Sequence, residues 1–124
     1  MELTFNHPEI ALTGMGYAYF QKGSYLEAVS SYQKAIGYDP LYPRAHLRIG
    51  EAYYALDKTD QALEAFEQAL ALAPRYAFAY YKLGLARMKL GETDRAREAF
   101  QEVAQLTPSS EIGKEATHYL ELLQ

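Results

Sequence analysis

The sequence predicts an all-α protein, built as a stack of three helix-turn-helix hairpins and closed by a C-terminal helix. Three observations predict this fold: residue types recur at a spacing of 34, apolar residues follow a helical period, and prolines separate successive units. The recurring residues are Gly16, Gly50 and Gly84; Ala28, Ala62 and Ala96; Tyr32, Phe66 and Phe100; and Pro40, Pro74 and Pro108.

Each unit contains two helical stretches. In the first stretch, the residues at i, i+3, i+4 and i+7 that share one helix face are Leu12, Met15, Gly16 and Tyr19. A glycine inside a helix costs about 1 kcal/mol relative to alanine, so the recurring glycines indicate close packing of a neighbouring helix. The predicted helices cover residues 9–22, 25–38, 43–56, 59–72, 77–90 and 93–106.

The turn inside each hairpin falls at Gly23, Asp57 and Gly91, which occupy the same place in the three units. Glycine and aspartate both tolerate the left-handed backbone that such turns need. Ser24 followed by Glu27 matches a capping box, in which each residue satisfies a free amide of the other. We therefore expect a capping box at the start of the second helix.

A seventh helix is predicted to begin near Ser109 or Ser110. Its apolar stripe consists of Ile112, Ala116, Tyr119, Leu120 and Leu123. Because the last unit of a stack needs a polar cover over its apolar face, we expect this helix to cap the third hairpin.

These positions resemble the tetratricopeptide repeat (TPR) family over residues 9–110, since they show its order of Leu-Gly, aromatic, Ala, aromatic and Pro. The resemblance implies a right-handed α-solenoid with a leader at 1–8, repeats at 9–42, 43–76 and 77–110, and a capping helix at 111–124. The chain departs from the family pattern at His46 and Tyr80, where Trp is common, and at Arg87 and Val103.

The resemblance also implies that the first helices of the hairpins line a groove that holds a peptide or helix of a partner protein. The helical phase predicts that this groove is lined by Thr13, Tyr17, Phe20, Arg44, Leu47, Arg48, Glu51, Tyr54, Phe78, Tyr81, Leu85 and Met88. Tyr17, Tyr54, Phe78 and Tyr81 are the expected main anchors. The alternative is that these rings belong to the core.

Some TPR domains grip the C-terminal carboxylate of chaperone tails with a clamp that needs Lys and Asn in the first hairpin. Here Thr13 and Tyr17 occupy those positions, and Phe78 stands where a Lys is expected in the third hairpin, with Lys82 nearby. We therefore do not expect a chaperone tail to bind. Arg44 and Arg48 lie one turn apart, and they either pair with an acidic group of a ligand or form a solvated basic edge.

The leader contains Leu3, Phe5 and Pro8. It is either disordered, as termini often are, or it folds into the groove of its own chain or of a second copy. Self-association into a homo-oligomer is therefore the alternative to an external partner, and a regulatory segment of a larger protein is a further alternative.

Composition argues against other classes of function. The 124 residues carry a net charge of −4, which disfavours nucleic acid, and they include no cysteine. His7, His46 and His118 lack metal-ligand spacing, and no catalytic motif or cofactor-binding loop occurs. We expect a non-enzymatic protein-interaction module without metal, cofactor or direct membrane insertion. Its expected location is the cytoplasm, or a soluble part of a larger exported or membrane-anchored protein.

Overall fold

The computed structural model describes residues 6–124 and shows a helical repeat solenoid. The leader residues Leu3 and Phe5 lie outside the described residues. Within residues 6–124, seven helices follow one another: α1 Pro8–Gln21, α2 Tyr25–Tyr38, α3 Pro43–Ala55, α4 Thr59–Leu72, α5 Ala77–Lys89, α6 Thr93–Leu106 and α7 Glu111–Leu122. The all-α prediction is confirmed, and each of the six hairpin helices begins and ends within one residue of its expected position.

The helices pair into hairpin 1 (α1 and α2), hairpin 2 (α3 and α4) and hairpin 3 (α5 and α6). Each second helix also packs against the first helix of the next hairpin, and the first helices of adjacent hairpins touch one another. This arrangement places one face of α1, α3 and α5 side by side. None of the helices within residues 6–124 is long and apolar enough to cross a membrane.

Pairs of a glycine and an aromatic ring hold each hairpin together. A Cβ atom added to Gly50 would lie 2.5 Å from the Phe66 ring, and Phe66 is 1 % exposed. In the same way, Gly16 packs against the Tyr32 ring and Gly84 packs against the Phe100 ring. The missing side chain makes room for the ring, which explains why glycine recurs inside three helices.

The turns within the hairpins share one backbone conformation. Gly23, Asp57 and Gly91 have φ values of 82°, 64° and 77°. In hairpin 1, the N–H of Ser24 donates to the carbonyl oxygen of Tyr19 at 2.9 Å. A left-handed residue followed by this backward hydrogen bond is the Schellman ending of a helix.

The predicted capping box at Ser24 and Glu27 is wrong. The Ser24 side chain makes no capping hydrogen bond at the start of α2. The backbone N–H of Ser24, which Glu27 would have to satisfy, already donates to Tyr19 in the Schellman turn. At Ser24, a Schellman turn rather than a capping box therefore satisfies the backbone N–H.

Helix α7 packs against hairpin 3. Its start is capped by Ser110, whose Oγ accepts from the Gly113 N–H at 3.0 Å and donates to the Thr107 carbonyl at 2.9 Å. The ring of Tyr119 stacks on Phe100 with their centroids 4.9 Å apart. These contacts cover the apolar end of hairpin 3, where the expected stripe of α7 lies.

Candidate functional site

The neighbouring faces of α1, α3 and α5 form one continuous surface, which we call the groove face. It is defined by Tyr17 and Phe20 of α1, Arg48, Glu51 and Tyr54 of α3, and Phe78, Lys82 and Leu85 of α5. At its centre lies a cleft of about 110 Å³, bounded mainly by the apolar parts of Phe20, Tyr54 and Leu85. The groove face therefore offers an apolar recess that draws residues from all three hairpins.

A chain of charged and aromatic groups crosses the groove face from α1 to α5. The Arg48 guanidinium lies 4.4 Å from the centre of the Tyr17 ring, and its Nη1 is 2.8 Å from Oε1 of Glu51. Oε2 of Glu51 is 3.4 Å from Nζ of Lys82, which lies 5.2 Å from the centre of the Phe78 ring. We call these five side chains the ladder.

Glu51 is the central member of the ladder, and its side chain is only 10 % exposed. Two cations compensate this nearly buried carboxylate, as buried charges require. Burial alone would lower the pKa of Arg48, but the hydrogen bond to Glu51 and its negative charge outweigh burial and raise that pKa. The ladder therefore places three neighbouring charges, those of Arg48, Glu51 and Lys82, between two aromatic rings.

A second ion pair lies at the end of the groove face next to the turn of hairpin 2. Nζ of Lys89 is 2.7 Å from Oδ1 of Asp57 and 4.7 Å from the centre of the Tyr54 ring. The hydrogen bond from Lys89, together with its charge, lowers the pKa of Asp57. This pair ties the left-handed turn residue to α5 of the next hairpin.

Most of the predicted groove residues retain exposed surface along this side of the molecule. Tyr17 is 38 % exposed, and Arg44 is exposed beside it in a second cleft of about 210 Å³ that also includes Arg48. The residues with partial exposure are Phe20, Arg48, Glu51, Tyr54, Phe78, Leu85 and Met88.

Three predicted groove residues are buried and have little surface for a partner. Thr13 is 4 % exposed, and its hydroxyl donates to the Glu9 carbonyl at 2.7 Å. Leu47 is 1 % exposed in the core between hairpins 2 and 3. Tyr81 is 8 % exposed because Phe100 and Tyr119 pack on it, while its hydroxyl donates to Glu115 of α7. Helical phase alone does not show that a neighbouring helix covers these positions.

Lys82 is the important member of the groove face that was absent from the predicted lining. It stands 34 residues after Arg48, so the repeat register already placed the two cations at equivalent positions. Their convergence on Glu51 depends on the stacking of α3 against α5. The spacing could have identified Lys82 as a lining residue, but not the ion pair.

Comparisons with known proteins identify the architecture. The sequence matches the family profile described as TPR repeat over residues 16–57 and 50–91, and the profile described as tetratricopeptide repeat over residues 77–110. No curated protein matches the chain.

Several solved structures are similar over nearly the whole chain. The first TPR domain of human RPAP3 is 31 % identical with a TM-score of 0.88, covering 94 % of this chain and 90 % of that one. The first TPR of Spaghetti (RPAP3), bound to the HSP90 peptide SRMEEVD, is 30 % identical with a TM-score of 0.87, covering 93 % and 89 %. The second TPR domain of human RPAP3, in complex with the HSP70 peptide SGPTIEEVD, is 26 % identical with a TM-score of 0.85, covering 94 % and 96 %. The repeat spacing, the hairpin stack and these matches together show that the chain belongs to the tetratricopeptide repeat family.

Proposed function

We propose that this protein binds a peptide or a helix of a partner protein along the groove face. The observation that carries the proposal is the cleft of about 110 Å³ between Phe20, Tyr54 and Leu85, because it draws walls from three hairpins and remains open. An accessible apolar recess flanked by polar groups is a common feature of recognition sites. A partner side chain that enters the cleft is removed from water, and so are the aromatic rings that line the cleft.

Similar structures support a peptide as the class of ligand. Two TPR domains that are 30 % and 26 % identical to this chain are complexes with an HSP90 peptide and an HSP70 peptide. The groove face has the extent to receive such a segment, since it runs across α1, α3 and α5.

The identity of the groove residues argues for a peptide other than a chaperone tail. At the clamp positions, Thr13 is buried, Tyr17 lies under Arg48, and Phe78 lies under Lys82. These side chains do not supply the Lys and Asn that the clamp needs. We expect the peptide SRMEEVD to bind more weakly than a peptide whose apolar residue fits the central cleft.

The central cleft suggests how a peptide is held. Its volume suits one aliphatic side chain of the ligand, and Glu51 and Lys82 lie at its edge. A carboxylate accepts hydrogen bonds from peptide N–H groups, and an ammonium donates to peptide carbonyls. In this arrangement Tyr54 and Leu85 provide apolar contact, while the ladder fixes the direction of the peptide backbone.

The proposal is tested with peptides selected from a random displayed library on the immobilised protein. Selected peptides are synthesised, and their dissociation constants are measured by calorimetry for wild type and for Tyr54→Ala. The matched control is Tyr38→Ala, because Tyr38 is 67 % exposed and lies on α2, outside the groove face. Loss of an interface anchor costs about 1–2 kcal/mol, so we expect roughly 5- to 30-fold weaker binding to Tyr54→Ala and no change for Tyr38→Ala. Equal affinity for all three proteins contradicts the proposed site.

A further inference from the structure

The groove side of the molecule carries an excess of positive charge, although the whole chain has a net charge of −4. Arg48 and Lys82 share the carboxylate of Glu51, so this part of the ladder contains two cations and one anion. Arg44 adds a third cation, one helical turn before Arg48 on α3. Three cations and one carboxylate in neighbouring positions favour a ligand that carries negative charge.

The two arginines line the second cleft of about 210 Å³, which we call the arginine cleft. Its walls include Ile10, Gly14 and Tyr17 of α1 together with Tyr42, Arg44 and Arg48. No aspartate or glutamate is among its lining residues in the described part of the chain. Because Tyr17 and Arg48 also belong to the groove face, the arginine cleft extends that face toward the beginning of α3.

Both arginines can reach a ligand in this cleft. Arg44 is exposed, and within residues 6–124 it takes part in none of the ion pairs. Among the same residues, Arg48 hydrogen-bonds Glu51 through Nη1 alone, while its guanidinium rests on the Tyr17 ring. Guanidinium groups one helical turn apart can both donate to a single carboxylate. The arginine cleft is therefore a candidate site for an acidic side chain.

The arginine cleft and the central cleft follow one another along α3. Arg44 and Arg48 line the first, whereas Glu51, Tyr54 and Ala55 line the second. These two sets are separated on average by about seven residues of helix, which corresponds to about 10 Å along the axis. An extended peptide advances about 3.3 Å per residue, so two of its side chains that are three or four residues apart span this distance.

We propose that the partner peptide carries an internal aspartate or glutamate that binds Arg44 and Arg48, three or four residues from the aliphatic residue held in the central cleft. This inference rests on the proposed function, because it assigns a second contact to the same peptide. The acidic side chain accepts hydrogen bonds from both guanidinium groups and offsets the positive charge that Glu51 leaves uncompensated. Since this carboxylate belongs to a side chain, the peptide does not have to end in the groove.

The library selection is run in parallel on wild type, Arg44→Glu and Arg95→Glu. Arg95 is the matched control, because it is an exposed arginine of α6 beside a cleft of hairpin 3, outside the groove face. We expect peptides selected on wild type and on Arg95→Glu to share an acidic residue three or four positions from an aliphatic one. Peptides selected on Arg44→Glu keep the aliphatic residue and lose the acidic one. Circular dichroism checks that each variant is folded.

Affinities measured by calorimetry then test the pairing directly. Peptides from the wild-type selection are synthesised with a C-terminal amide, and their acidic residue is either kept or replaced by asparagine or glutamine. We expect the replacement to weaken binding to wild type about 5- to 10-fold and binding to Arg44→Glu less than about 2-fold. High salt should reduce the difference for wild type, because ions screen an exposed charge pair.

The possible failures separate this inference from the proposed function. Peptides that need Tyr54 but show no preferred acidic residue, or that bind Arg44→Glu as tightly as wild type, overturn the inference and leave the proposed function in place. Peptides that bind only with a free C-terminal carboxylate also overturn it, because the arginines would then hold a chain end. Selected peptides that bind wild type and Tyr54→Ala equally contradict the proposed function, and the inference with it.

Discussion

At the residue scale, the recurring glycines are explained by the rings opposite them. Gly16, Gly50 and Gly84 all face a fully or almost fully buried aromatic side chain. The sequence showed that close packing was needed, because glycine is unfavourable inside a helix. The sequence did not show which side chain packs on each glycine, since that depends on how the second helix of a hairpin is positioned against the first.

We predict that Gly50→Ala destabilises the protein by about 1–3 kcal/mol, although alanine favours the helix by about 1 kcal/mol. The new Cβ would lie 2.5 Å from the Phe66 ring, which is enclosed and has little freedom to move. The control is Gly14→Ala, where a Cβ meets nothing within 4 Å, and it should raise stability by about 0.5–1 kcal/mol. Urea unfolding measures both free energies, and stabilisation by both changes would mean that Phe66 does not occupy this space.

Asp57 is the second residue whose role becomes clear only in three dimensions. Its left-handed φ of 64° was expected from its alignment with Gly23 and Gly91, but its ion pair with Lys89 was not. The pair joins residues of different hairpins, and no local pattern connects them.

We predict that the pKa of Asp57 lies below its ordinary value near 3.9 and returns toward that value in Lys89→Gln. Because the folded pKa is the lower one, any stability from this pair is present above about pH 4 and is lost as the pH falls through the folded pKa. Carboxyl chemical shifts followed by NMR between about pH 2 and pH 6 measure the change. An Asp57 pKa that is the same in wild type and in Lys89→Gln would contradict the ion pair between Asp57 and Lys89.

At the element scale, some features of the helix ends could be predicted from the local sequence and others could not. The turns of all three hairpins were placed correctly from Gly23, Asp57 and Gly91. A serine followed by an acidic residue in the first helical turn predicted a side-chain cap at Ser24. That prediction was wrong, because the Schellman turn already uses the backbone amide of Ser24. At Ser110, no Schellman turn precedes the helix, and the serine side chain caps it.

We predict that Ser110→Ala lowers stability by about 1 kcal/mol, because it removes the side-chain acceptor of the Gly113 N–H. Ser24→Ala is the matched control and should change stability by less than about 0.5 kcal/mol, since Ser24 makes no such bond. Thermal and urea unfolding of the two variants provide the comparison. An equal loss in both variants would show that the serines act through something other than capping.

At the scale of the whole molecule, a repeat register allows much of the fold to be predicted from sequence. The apolar period and the recurring glycines, alanines and prolines define the hairpins and their order. That the groove residues bind a partner stays a prediction. Within the expected lining, Thr13, Leu47 and Tyr81 share the helical phase of the exposed residues but are buried in the structure. The ladder depends on three helices and could not be derived from the phase of any one of them.

The pattern of contacts between hairpins has a consequence for how the molecule responds to a ligand. Among the described residues, no Cα atom of α1 or α2 lies within 8 Å of a Cα atom of α5 or α6. A chain organised in this way can lose structure at one end while the other end persists, and its stability is approximately a sum of nearest-neighbour terms.

A peptide lying across α1, α3 and α5 would be a contact that joins the two ends directly. Binding of this peptide should therefore make the unfolding of the two ends of the molecule cooperative. We expect saturation with a groove ligand to slow amide hydrogen exchange in both α1 and α5, although the Cα atoms of these helices are not in contact. The ligand would thus supply a link between hairpins 1 and 3, whose helices have no Cα atoms within 8 Å of one another among the described residues.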